Sequence, residues 1–173
     1  RATIPSLSNN ATLTILADGK SDGEEVAELM LQSSLRESLG RVLSQDVVIS
    51  GPVSTELGLY IPLSNPKNTR AVGQARLSKS DVRITALGLD FEQAQGVIAF
   101  DNETLSVDGL NASLLNQGVR IDLNGMQTSS AYELDIGIQG SWQVNSVIGQ
   151  YAPNLNSYVN GDADWELDLD VSL

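Results

Sequence analysis

Apolar and polar residues alternate through most of this chain. Between Gly96 and Gly125, Val97 and Ala99 alternate with Ile98 and Phe100, and Leu105 and Val107 with Thr104, Ser106 and Asp108. Val119, Ile121 and Leu123 then alternate with Arg120, Asp122 and Asn124. A period of two over runs this short marks strands with one buried face. Asp101-Asn102-Glu103, Asp108-Gly109 and Gln117-Gly118 break the runs with turn chemistry. The stretch therefore predicts an antiparallel meander of three or four strands.

The pattern extends both ways. Residues 1–10 are polar, with Pro5 and Asn9-Asn10, and read as a linker or the end of a preceding strand. Ala11 to Ala17 alternates as a strand. Asp18 to Gly23 reads as a turn that leads into the one long helical stretch, Glu24 to Leu43, inside 22–45. Asp22 can cap that helix, and Glu24 and Glu25 suit its first turn. Leu31, Leu35, Leu39 and Val42 share one helical face, with Val26 and Met30 on the other. That second pair has two readings: core packing at a bent first turn, or an apolar edge closing a groove. A β meander is expected from 47 to 173. Within it, apolar parity flips between Ala71–Leu77 and Val82–Ala86, so a turn or bulge must fall at Ser78 to Asp81. Tyr132, Leu134, Ile136 and Ile138 alternate again. Val144, Val147, Ile148 and Tyr151 sit at helical spacing and stop before Pro153, which predicts a short helix near 143–152.

Composition narrows the chemistry. The chain of 173 residues has no cysteine and no histidine, which removes disulfides, thiol nucleophiles, zinc sites and histidine-based triads. Ten basic residues against 22 acidic ones give a net charge of -12, which argues against a nucleic-acid partner. No apolar run approaches the about 18 residues of a membrane-spanning helix. The chain starts at Arg1 without Met and stops on a strand-like run, so a fragment of a longer protein is expected.

Candidate chemical features give way to simpler readings. Asp18 to Leu29 superficially resembles a calcium loop, but Lys20 and Leu29 occupy ligand positions. At 162–170, Asp162, Asp164, Glu166, Asp168 and Asp170 alternate with Ala163, Trp165, Leu167 and Leu169. Carboxylates on one strand face lie about 7 Å apart, too far for a tight metal pair. A solvated face that blocks edge pairing is the simpler account. Sequons at Asn10, Asn102 and Asn111 read as chance in so Asn- and Ser-rich a chain. No nucleophile elbow, P-loop or dinucleotide fingerprint occurs. No metal, cofactor or catalytic residue is assigned, and the chain reads as non-enzymatic.

Three stretches in order carry a family resemblance. The first is Ser34-Leu35-Arg36-Glu37-Ser38-Leu39-Gly40 followed by Val47-Val48-Ile49-Ser50-Gly51. The second is the Gly96–Gly125 meander, and the third is Gln139-Gly140-Ser141-Trp142 leading to Gly161-Asp162-Ala163-Asp164-Trp165. Together they resemble the AsmA-like bacterial envelope proteins, in particular the YhdP-like branch, over positions 30 to 173. The resemblance implies a mainly β fold: a long curved antiparallel meander sheet, groove- or taco-like, with one principal α-helix. It also implies a periplasmic segment of a parent protein anchored to the inner membrane, with the rest of that chain and phospholipid acyl chains as partners. Its role would be an apolar β groove for phospholipid transport between inner and outer membranes. About nine strands spaced about 4.8 Å apart exceed what one helix about 10 to 12 Å across can cover. The remaining apolar face either closes as a sandwich or stays open as a trough. Composition favours the sandwich, so a β-sandwich binding or adhesion module with a closed core is the alternative, and a structural spacer is a third. The candidates for lining a trough are Leu105, Val107, Val119, Ile121, Leu123, Leu134, Ile136, Ile138, Trp165, Leu167 and Leu169.

Overall fold

Strands patterned for one buried face need neighbours on both sides, and the chain supplies them almost in sequence order. The computed structural model describes residues 1–3, 11–32, 36, 40–145, 153–155 and 161–173. Its strands are β1 (Ala2–Thr3), β2 (Thr12–Asp22), β3 (Val47–Ser50), β4 (Pro52–Pro62), β5 (Arg70–Ile84), β6 (Leu89–Asp101), β7 (Thr104–Leu114), β8 (Gln117–Gln127), β9 (Tyr132–Gln143) and β10 (Asp162–Ser172). They form one ten-stranded antiparallel sheet in the order β1-β2-β4-β5-β6-β7-β8-β9-β10, with β3 paired to β5. β1 and β10 stand at opposite ends, so the sheet is open. The main helix is α1 (Gly23–Leu31).

Register converts alternation into rows. Leu57, Gly73, Phe100, Leu105, Gly125, Leu134 and Val171 are successive partners from β4 to β10. Thr55, Ala75, Ile98, Val107, Leu123, Ile136 and Leu169 form the next row. The face that carries these rows is called the inner face. Glycine breaks the first row where a ring lies over the strand. A Cβ on Gly73 would sit 2.6 Å from Phe100 Cζ, and one on Gly125 2.8 Å from both Tyr132 Cε1 and Leu134 Cδ2.

The parity flip in β5 is resolved by a bulge. Pairing with β6 shifts register at Ser78/Ser80 and again at Ser80/Val82, with Lys79 at φ 64°. Opposite this bulge, β3 and β4 lie end to end along β5, separated by Gly51 at φ 97°. Ser80 is fully buried there, and its hydroxyl donates to the Pro52 carbonyl at 2.7 Å.

Three expectations change. The long helix expected over Glu24 to Leu43 is capped at Gln32, and Val42 and Leu43 belong to a separate π-helical turn. Asp18 to Gly23, read as a turn, is strand as far as Asp22, paired with Pro52 to Glu56 of β4. Cross-strand pairing there outweighs local turn propensity. Asp108-Gly109 does not separate two strands but lies inside β7 as a bulge, where pairing with β8 shifts between Val107 and Leu110. Gly109 takes φ 66°, and its N–H donates to Asp122 Oδ1 at 2.7 Å.

Asp22 occupies the N-cap of α1, and Met30 and Ala27 turn inward. Met30, 4% exposed, joins the core, which favours the packing reading of that helical face. Gly23 is required at the first helical position, since a Cβ would fall 2.3 Å from the Ile49 carbonyl oxygen. A π-helical turn at Val42–Asp46 precedes β3 and buries Val42 completely. Leu35 and Leu39 lie outside the described residues, as does most of the short helix expected near 143–152.

Candidate functional site

The inner face from β7 to β10 carries all eleven residues singled out from the sequence. Leu105 and Val107 stand on β7; Val119, Ile121 and Leu123 on β8; Leu134, Ile136 and Ile138 on β9; Trp165, Leu167 and Leu169 on β10. Register brings them together: Ile121 pairs with Ile138 and Ile138 with Leu167, while Leu123 pairs with Ile136 and Ile136 with Leu169. No charged residue occupies an inner-face position on these four strands.

Burial divides the set. The eight residues on β7 to β9 are between 0% and 8% exposed and pack in one core with Met30 and Val42. Trp165 and Leu169 are partly buried, and Leu167 is 41% exposed. The apolar face is thus covered by protein in the middle of the sheet and meets solvent along the β10 edge. At that edge the Arg41 guanidinium donates to the Leu173 carbonyl, just beyond β10, at 3.3 Å.

Three aromatic residues bring polar hydrogens to this face. Trp142 and Trp165 meet edge to face with centroids 4.5 Å apart, and Trp165 lies over Gly140, where a Cβ would be 2.8 Å from its Nε1. Both indole nitrogens and the Tyr132 hydroxyl are buried without a hydrogen-bond partner. Burial raises the Tyr132 phenol well above its ordinary value, and the nearby Glu103 carboxylate adds to the shift.

Sequence reasoning missed Leu110 and Leu114, which are also buried on this face. The bulge at Asp108-Gly109 moves the inner parity of β7 from odd to even, and the matching flip in apolar parity was the available signal. The outer face is ionic. Arg70 makes a paired hydrogen bond to Asp101, which holds that carboxyl below its ordinary range. Among the described residues, no group of three acidic side chains is placed to hold a metal ion, and no helix is long and apolar enough to cross a membrane.

A family profile described as YhdP protein matches residues 1–173, the whole chain. The chain belongs to the YhdP protein family. It is 29% identical over 172 residues to the intermembrane phospholipid transporter YhdP of Escherichia coli (strain K12). That match covers 99% of this chain but only 13% of the relative's length. The relative's name is that of a transporter, in agreement with the non-enzymatic reading of this YhdP-family chain. No solved structure matches it.

Proposed function

We propose that this chain is a lipid-conducting segment of a larger envelope protein, and that phospholipid acyl chains run along its inner face on the way between inner and outer membranes. The observation that carries the reading is the continuity of uncharged rows from β4 to β10, which end in the partly buried Leu169 and Val171 beside an exposed Leu167. An acyl chain needs a path free of fixed charge, because a bare charge beside it would be costly to desolvate. Trp165, Leu167 and Leu169 touch lipid directly. The eight covered residues touch it once lipid displaces the protein groups packed on them. The exposed carboxylates of β10 point to the opposite face and keep that side in water. The parent works in the periplasm, anchored at the inner membrane, and its other segments continue the path.

The burial of Ile136 and Ile138 supports a second reading, a closed core that serves as a binding module or spacer. Leu167→Asp in the full-length parent separates the two. The conduit reading predicts a folded protein that no longer moves phospholipid between membranes. Transfer at the parent's rate by a folded Leu167→Asp protein would leave the closed-core reading.

A further inference from the structure

The outer face is polar over most of the sheet but turns apolar near β2. Leu16, Gly58 and Val72 are successive cross-strand partners on β2, β4 and β5, with Tyr60 and Ala99 beside them. They line a depression of about 690 Å³, within the size range of ligand and side-chain pockets. Leu16 is 49% exposed and Tyr60 40%. Both lean over Gly58, where a Cβ would lie 3.2 Å from the Tyr60 ring and 3.5 Å from Leu16. Gly58 itself is buried.

Two carboxylates border this depression. Asp18 and Glu56 are direct cross-strand partners, and like charges so placed destabilise a sheet. Glu56 accepts a hydrogen bond from Gln74 at 2.7 Å. Neither carboxylate forms an ion pair among the described residues, although Lys20 and Arg76 stand one row away on the same face, whereas Asp101, Asp90, Asp108 and Asp122 each have an arginine. An apolar hollow beside two negative charges without an ion-pair partner is complementary to an apolar group next to a positive one.

We propose that this outer-face depression docks a segment of a partner protein that sets an aliphatic or aromatic side chain against Leu16, Gly58 and Tyr60. A lysine or arginine of the same segment lies against Asp18 and Glu56. A phospholipid is a poor occupant, because the carboxylates repel its phosphate. A second copy is also poor: a symmetric contact at this patch would bring four carboxylates together on chains of charge -12. The proposal concerns the face opposite the lipid path and stands independently of it.

The test uses the full-length parent with a labelled synthetic peptide alternating leucine and lysine, and its leucine–glutamate counterpart. The lysine peptide should bind and the glutamate peptide should not. Asp18→Asn with Glu56→Gln should weaken binding about tenfold, and Leu16→Ser should weaken it comparably. Asp168→Asn with Glu166→Gln removes the same charge from the outer face of β10 and should change affinity by less than about twofold, the limit for exposed charges outside the contact. All these positions are exposed, so melting temperatures should hold, and relief of the Asp18–Glu56 repulsion should if anything raise one. A photo-crosslinker at Tyr60 should attach to the lysine peptide. Equal losses in the two double variants would reduce the effect to net charge and overturn the proposal. So would tight binding of the glutamate peptide, or a Tyr60 crosslink to phospholipid, a second copy or another part of the same chain.

Discussion

Ile138 and Leu167 are direct cross-strand partners on one face of one sheet, yet Ile138 is 0% exposed and Leu167 41%. Both sit in runs that alternate apolar with polar, and in the sequence they look alike. What separates them is position in the sheet. β9 has strands on both sides and protein packed over its inner face. β10 is paired on one side only among the described residues, and its apolar side chains emerge at the edge. Alternation reveals which face a residue takes; it does not reveal whether that face is covered.

The sharpest way to break this comparison is a charge on each partner. Ile138→Asp buries an unpaired carboxylate and should cost more than about 4 kcal/mol, enough to prevent folding. Leu167→Asp should cost no more than about 1 kcal/mol, as an exposed substitution. Urea unfolding of the two variants measures both, and equal losses would show that β10 is as covered as β9.

A smaller effect is expected from the glycines of the two faces. Gly73→Val would push a Cβ to 2.2 Å from the Glu56 carbonyl oxygen and against Phe100, costing about 2 to 3 kcal/mol as an overpacked core site. Gly137→Ala points outward, where the nearest atom is Asp168 Oδ1 at 3.6 Å, and should stabilise by about 0.5 kcal/mol by restricting the unfolded chain. Thermal melting distinguishes the signs.

Tyr132 gives a pH-dependent contrast. Its phenol stays neutral in the fold because burial raises its pKa, while the unfolded chain ionises it near about pH 10. Its contribution is therefore complete below about pH 10 and declines as pH rises further, because only the unfolded state then loses the proton. Tyr132→Phe should remove that part of the alkaline decline. It should change stability at neutral pH by no more than about 1 kcal/mol, since the hydroxyl lacks a partner. The least effect belongs to the acidic side of β10. Asp170 lies directly opposite Asp135, so Asp170→Asn should stabilise by a few tenths of a kcal/mol at low salt and by nothing measurable at high salt.

Much of the fold was legible because period two is a strong signal over runs such as Val119 to Leu123 and Tyr132 to Ile138. The flip across Ser78 to Asp81 foretold the bulge at Lys79. The same kind of flip after Val107 passed for a turn, since Asp-Gly serves both, and Leu110 and Leu114 were lost with it. Asp18 to Asp22 looked like a turn by composition, yet pairing with β4 made it strand. The cover over β7 to β9 was not legible at all. Burial there depends on one core shared with side chains distant in sequence, Met30 and Val42 among them, and local pattern carries no record of that.

Neighbouring residues on β10 allow the most direct test of the lipid path. Leu167 and Asp168 are adjacent in the chain and face opposite sides of the sheet. A photo-crosslinkable residue placed at each in the full-length parent, in cells, should capture phospholipid at 167 and none at 168. Capture at both, at neither, or at 168 alone would contradict an inner-face path for lipid in this segment.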